Sequence, residues 1–326
     1  MLSFKEIVKK IENLEEANIL ISALELKIFS FLEKKTMSAR KISLLTKTKP
    51  VEMEVLLNVL AAMGALIKIK NCYKNTSVTY KFFCETSFNY KTGTVLLLKD
   101  GRDEYEKILK KMRKGRNLKD FEVADDPRFR KQFTYAMHER SQIYSKKIAN
   151  VVSKGKVGKL IDLGCGPGSY SVEILKKAKN ATATLFDRPA ALKVAREIHN
   201  NKIIYRRLNF VSGDLFDDEF GVGYDTVFLS NIMHIYNVNE NKVLLKKIKN
   251  TLKQNGRLFL YDFFLKDSKV EPYNAALFAI TMLLYTNTGK SYTFSEVYSL
   301  LRSIGFGHIK KTNIESGSSI IEAIKV

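Results

Sequence analysis

Asp162, Gly164, Gly166, Gly168, Asp187, Asp214, His234 and Asp262 are the residues whose types and spacing could do chemistry. The first four lie in Leu160-Ile161-Asp162-Leu163-Gly164-Cys165-Gly166-Pro167-Gly168-Ser169-Tyr170, where a short apolar run passes through three alternate glycines into a helical pattern. A strand, tight turn and helix of this kind lets a ligand approach the backbone where a Cβ would intrude, and the helix start offers it unpaired N–H groups. A nucleotide-like ligand suits that geometry. A dinucleotide would lay its pyrophosphate on the turn and space the glycines G-x-G-x-x-G. Here the spacing is G-x-G-x-G, and Asp162, two residues before the first glycine, would repel a pyrophosphate while attracting an ammonium or a sulfonium. The nucleoside that carries both cations is S-adenosyl-L-methionine. Two more carboxylates close expected strands: Asp187, nineteen residues beyond Gly168, ends Ala183-Thr184-Leu185-Phe186, and Asp214 ends Asn209-Phe210-Val211-Ser212-Gly213. Singly, the glycines read as a tight turn and the aspartates as helix caps. In this order they predict an adenosine cradle, because an acidic strand end meets ribose hydroxyls.

His234 follows the expected strand Asp225 to Ser230, and Asp262 closes the next strand 28 residues further on. An imidazole with an ordinary pKa of about 6.5 can take a proton from a hydroxyl, and a carboxylate on its other nitrogen would fix its tautomer. Alone, such a histidine also reads as a packed or capping residue. The carboxylate on the neighbouring strand end favours the base, since ligands of open α/β sheets lie beyond the carboxyl ends of the strands. His138, His199 and His308 read as structural, with His138 bordering a candidate pocket helix.

The elements that must position these groups alternate. From Lys159 onward, strands (to Leu163, Phe186, Val211, Ser230 and Asp262) alternate with helices (Tyr170 to Lys177, Ala190 to Ile198, Asn239 to Leu252, Phe294 to Ser303), and Gly256 reads as a helix stop. Strands near Ile309 and from Ile320 to Ile324 follow. Alternation of this kind predicts a mostly parallel sheet covered on both faces. Before it, apolar residues at helical spacing from Phe4 to Leu32 predict two helices, the second opened by Glu15-Glu16. Ser38 caps a short helix, Pro50 opens a longer one that Gly64 stops, and Leu66 to Ile69 with Thr79 to Phe83 reads as a hairpin. Helices followed by a hairpin predict a winged helix. Its second helix carries Glu52 and Glu54 and no Lys or Arg, so nucleic acid is not an expected partner.

Composition narrows the classes further. The 326 residues, 45% of them hydrophobic, suffice for one large core and a smaller one. No run of eighteen apolar residues occurs and the N-terminus turns charged at once, so a cytoplasmic protein without membrane association is expected. Cys72, Cys84 and Cys165 form neither a disulfide framework nor a metal-ligand pattern, and no metal is expected. The net charge of +21 is spread as +12 over residues 1–150 (30 basic, 18 acidic) and +9 over 151–326 (25 basic, 16 acidic). Of the 55 basic residues 42 are Lys, which suits a solvated surface better than bidentate phosphate recognition. A denser basic run spans residues 107–119.

With these residues in view, the chain resembles the two-domain small-molecule O-methyltransferases, which include caffeic acid and acetylserotonin O-methyltransferases and bacterial polyketide and pigment relatives. The resemblance implies an α/β fold: a Rossmann-like S-adenosylmethionine methyltransferase domain (151–326), preceded by an α-helical winged-helix dimerisation domain (1–95) and connecting helices (96–150) that contribute to the substrate pocket. It implies a homodimer. It places Asp162, Gly164, Gly166, Asp187, Asp214 and Ser230 on cofactor motifs, and Phe133 and Met137, on the family's Phe-x-x-Ala-Met helix, in the acceptor pocket with Met282 and Thr286. His234 falls on the catalytic histidine of a His-Asp-Trp segment of which only the histidine is kept, and Asp262 on a glutamate that holds it. Ser291 stands where the family has a second carboxylate. The implied activity is transfer of a methyl group to a small hydroxylated metabolite, aromatic or polyketide-like, with His234 as base. Methylation at carbon and a non-catalytic, cofactor-sensing winged-helix regulator remain the alternatives.

Overall fold

The computed structural model describes residues 2–91, 93–95, 97–98, 107–116, 126–200, 203–315 and 317–326. The chain divides into two compact units, Met1–Arg102 and Asp103–Val326. In the first, α1 (Phe4–Glu25) opens on a reciprocal Ser3/Glu6 cap, and α2 (Ile28–Leu32) follows. The expected break at Glu15-Glu16 is absent, because both side chains sit on the exposed side of one continuous helix and the chain turns instead at Lys27, where φ is 55°. Next come β1 (Met37–Ser38), α3 (Ala39–Thr46) capped by Ser38, α4 (Pro50–Ala62), β2 (Leu66–Ile69), β3 (Cys72–Asn75) and α5 (Ser77–Phe83). The second hairpin strand is thus Cys72–Asn75, and the residues expected to form it are helical. A left-handed residue at Lys70 (φ 51°) turns the chain early, and Thr76 and Thr79 exchange backbone and side-chain hydrogen bonds that start α5. Ile28, Phe29, Leu32, Ile42, Leu57 and Leu60 form the centre of this unit's core.

The second unit holds α6 (Ile108–Lys114), α7 (Pro127–Val152), β4 (Lys159–Leu163), α8 (Ser169–Lys177), β5 (Thr182–Asp187), α9 (Pro189–His199), β6 (Leu208–Ser212), β7 (Tyr224–Ser230), α10 (Val238–Thr251), β8 (Leu252–Phe263), α11 (Tyr273–Tyr285), α12 (Phe294–Ile304), β9 (Phe306–Glu315) and β10 (Ser318–Lys325). The sheet order is β6-β5-β4-β7-β8-β10-β9, parallel from β6 to β8, with β10 and β9 antiparallel. The chain runs outward from β4 to β6 and then returns to β7 on the other side of β4. That reversal is a switch point, and in such sheets a crevice opens there beyond the strand ends. Alternation along the strands sends Ile161, Val227, Leu229, Leu258 and Leu260 to the face covered by Leu244, Leu245, Ile248 and Leu301, while Leu160, Phe228 and Phe259 pack on Ile148, Val152 and Ile174. Gly256 does not stop a helix. It lies inside β8, where the pairing with β7 slips between Tyr224 and Thr226, and α10 ends because Leu252 is already extended (φ −76°, ψ 143°). Among the described residues no helix is long and apolar enough to cross a membrane.

Candidate active site

Every sequence-singled site residue lies in the second unit, and the principal ones stand at strand ends around the switch point. Leu163 delivers the chain into the turn 164–168, where Gly164, Gly166 and Gly168 take φ of 64°, 52° and 65°, a region costly for side-chain-bearing residues. A Cβ at Gly164 would stand 2.4 Å from Ile232 Cδ1, whereas at Gly166 nothing lies within 4 Å. The turn is anchored by Gly164 N donating to Phe186 O (2.8 Å) and Gly166 N donating to Asp187 Oδ2 (2.7 Å). Asp187 Oδ1 accepts from Arg188 N (2.6 Å); burial raises its carboxyl pKa against the pull of the Gly166 and Arg188 amides.

Asp162 is 1% exposed. Its Oδ2 accepts from Ser171 Oγ at 2.6 Å, and its Oδ1, also buried, has no hydrogen-bond partner among the described residues. Burial pushes this carboxyl up to about 7, with the charge of Asp187 adding to the effect and the Ser171 hydroxyl opposing it. Asp214 is engaged differently. Its Oδ1 accepts from Phe216 N (2.6 Å) and Asp217 N (3.1 Å), and its Oδ2 pairs with Arg188 Nη2 at 2.5 Å. Burial is outweighed by those two amides and Arg188, which hold the carboxyl below its usual range. Asp214 therefore works as a cap for its own turn. Ser230 ends β7, buried, with no side-chain hydrogen bond among the described residues.

Across the switch point, His234 sits in a single helical turn, Met233–Ile235, just after β7. Its Nδ1 lies 2.7 Å from Asp262 Oδ1, and that oxygen also accepts from Phe263 N at 2.8 Å. The two side chains are 10% and 3% exposed, so the pair is shielded from water. The Phe278 ring stands edge to face with the imidazole at 4.8 Å and packs on Phe263 at the same separation. Asn241 Nδ2 donates to Met233 O (2.8 Å) and Tyr236 O (3.1 Å), and Tyr292 Oη donates to Tyr236 O (2.7 Å), which pins the turn at both ends. Gly289 seals it: a Cβ there would be 2.1 Å from His234 O. Arg116 Nη1 holds the same loop by donating to Asn287 O (3.2 Å) and Gly289 O (2.8 Å).

The five residues expected to line an acceptor pocket are less closely assembled. Met282 and Thr286 are buried at the end of α11, where the Thr286 hydroxyl donates back to Met282 O at 2.6 Å. Ser291 is buried and donates to Ala275 O at 3.2 Å. Neither Thr286 nor Ser291 hydrogen-bonds His234 or Asp262 among the described residues. Met137 is half-buried on α7, and Phe133, 37% exposed, stacks on Phe129 at 6.0 Å. Sequence reasoning missed Arg188, Asn241, Phe278 and Tyr292. Arg188 directly follows Asp187, and Asn237 with Glu240 forms a capping box that would have marked the start of α10 and hence Asn241 on its first turn. Phe278 lies in a helix too uniformly apolar to show a 3.6-residue pattern. Among the described residues no group of three or more metal-ligating side chains comes together.

Sheet order, the glycine turn and strand ends rich in carboxylates together define the class, a Rossmann-like methyltransferase domain that follows a helical, winged N-terminal unit in the chain. The chain belongs to the O-methyltransferase family. Residues 98–307 match its O-methyltransferase domain and residues 11–83 its O-methyltransferase dimerisation domain, and the enzyme is S-adenosyl-L-methionine-dependent. It is 23% identical over 280 residues to the 3-hydroxy-5-methyl-1-naphthoate 3-O-methyltransferase of Streptomyces sahachiroi, covering 83% of this chain and 81% of that one. Among solved structures it resembles an O-methyltransferase family protein from Burkholderia thailandensis (TM-score 0.87, 23% identity, 100% of this chain and 98% of that one). It also resembles human N-acetylserotonin methyltransferase in complex with S-adenosylmethionine (TM-score 0.83, 20% identity, 100% and 99%). The turn suits that cofactor on two counts: Asp162 Oδ1 is a buried acceptor in want of a donor, and the space a Gly166 side chain would fill is open.

Proposed function

We propose that the protein transfers the methyl group of S-adenosyl-L-methionine to a hydroxyl of a small aromatic or polyketide-like metabolite, with His234 as the general base. The observation that carries this reading is the buried His234–Asp262 pair, 2.7 Å between Nδ1 and Oδ1, at the ends of adjacent strands beside the switch point. The cofactor, when bound, supplies a methyl group made electrophilic by its sulfonium. Asp162, Gly164, Gly166 and Asp187 would hold it, with Asp214 and Ser230 at the cleft edge. Asp162 Oδ1 is suited to the ammonium, and the free lone pairs of the Asp187 carboxylate to the ribose hydroxyls.

Asp262 accepts from Nδ1–H, which fixes the tautomer and leaves Nε2 with the lone pair that takes the acceptor's proton. Taking a proton from a phenol is an uphill transfer for an imidazole. Asp262 offsets part of this by stabilising the imidazolium, and its exclusion from water strengthens the effect. Phe278 and Phe263 give the imidazole an apolar wall suited to a planar acceptor. Phe133, Met137, Met282, Thr286 and Ser291 would line the rest of the pocket. An aromatic acceptor is supported by the naphthoate named for the Streptomyces relative.

A homodimer through the N-terminal unit is supported by the dimerisation-domain match and by α1, which exposes Phe4, Ile7, Ile11 and Leu14 along one stripe.

Methyl-deuterated S-adenosyl-L-methionine offered with a panel of hydroxylated naphthoates and phenols tests the chemistry directly. Fragment masses should place the label on oxygen; label on ring carbon would replace this reading with carbon methylation, and no transfer to any member would count against the acceptor class.

A further inference from the structure

We propose that His138 and His199 are positioning residues that brace the cofactor turn from behind and so set the affinity for S-adenosyl-L-methionine, although neither belongs to the His234 machinery. His199, the last residue of α9 and 1% exposed, places Nε2 2.8 Å from Pro167 O. A carbonyl only accepts, so Nε2 carries the proton. His138, on α7, places Nδ1 2.7 Å from Ser169 Oγ, the first residue of α8. The two rings meet edge to face at 6.1 Å. The turn between these contacts needs such support. Gly168 is the N-cap of α8 and has no side chain to cap it, and three residues of the turn sit at positive φ. A glycine-rich turn has more alternative conformations than any other backbone, and each must be given up when a ligand is seated. Two imidazoles reaching in from separate helices, one to Pro167 O and one to Ser169 Oγ, fix the turn before the ligand arrives, and preorganisation of that kind appears as affinity. His138 also follows Met137 on α7, so the helix expected to line the acceptor pocket is tied to the cofactor turn by one hydrogen bond.

The inference rests on the glycine turn being the seat of the cofactor, and the test separates the two. Calorimetric titration of S-adenosylhomocysteine into the full chain compares His199→Leu with His199→Gln, whose amide can still reach Pro167 O, and His138→Leu with His138→Asn. The Leu variants should bind about tenfold more weakly while the Gln and Asn variants stay within about threefold of the parent. A residue that served only the fold would lower the unfolding temperature and leave the dissociation constant of the folded protein unchanged. Equal affinity in all four variants, or equal loss in the amide and Leu variants, overturns the proposal. Should His199→Leu not fold, Ser169→Ala reads the His138 arm alone, with weaker binding expected and parental binding contradicting it. Gly166→Val is the control: if it binds like the parent, the seat is elsewhere and the brace falls with it. If it loses binding while the histidine variants do not, only the brace falls.

Discussion

Asp162 carries the residue-scale account of cofactor binding, because its carboxyl has one oxygen satisfied and one orphaned in a dry site. Its ordinary pKa of 3.8 is raised to about 7 in the fold. With the folded-state value above the unfolded one, the folded protein binds this proton more tightly, so the group's contribution favours folding in acid and is lost as pH rises through about 7. An ammonium at Oδ1 reverses the preference, since a nearby cation favours the carboxylate. Titrating S-adenosylhomocysteine about one unit below that value, in two buffers of different ionisation enthalpy, should show net proton release on binding. Asp162→Asn should release no proton from this site and bind about tenfold or more weakly; undiminished release would assign the proton elsewhere. Much at this scale was legible in sequence. The alternate glycines and strand-end aspartates are local patterns, and His234 and Asp262 meet because adjacent parallel strands bring their ends together. The Asp214–Arg188 pair was not legible, since it joins two loops whose approach depends on the packed sheet.

At the scale of elements, the histidine turn is held through its backbone carbonyls. Asn241 and Tyr292 bond the Met233 and Tyr236 carbonyls, Gly289 leaves no room for a side chain against His234 O, and Arg116 bonds the carbonyls of Asn287 and Gly289. Gly289→Ala puts a methyl group 2.1 Å from His234 O if nothing moves, so the turn or the loop must shift. A displacement near 1 Å costs roughly a hundredfold in rate. Gly289→Ala should therefore lose turnover on that order while keeping its affinity for S-adenosylhomocysteine, and unaltered turnover would show that the loop does not set the imidazole's position. The element errors have physical causes of the same kind. Thr79 to Phe83 is β-branched and aromatic and reads as strand, yet a reciprocal threonine cap makes it helical. Tyr273–Tyr285 is apolar on most faces, which conceals a helix from any argument based on amphipathic periodicity. Residues 117–119 of the basic run lie outside the described residues.

For the molecule as a whole, two features of the surface matter. The stripe Phe4, Ile7, Ile11 and Leu14 is exposed on the N-terminal half of α1, among charged neighbours, and 42 of the chain's 55 basic residues are Lys. Sedimentation should give about twice the chain mass of 37.3 kDa, and Ile11→Lys with Leu14→Lys should reduce it to one chain. A parent that sediments as one chain would remove the homodimer. The electrostatic surface makes a second distinction, since α4 presents glutamates and no basic residue to a would-be groove. The measurement that bears most directly on the central claim is a paired one on His234→Ala: methyl transfer to an acceptor hydroxyl, and affinity for S-adenosylhomocysteine. Transfer should fall by about three or more orders of magnitude with affinity within about twofold of the parent, as expected when only the proton acceptor is removed. Turnover retained in full, or lost in step with cofactor binding, would contradict it.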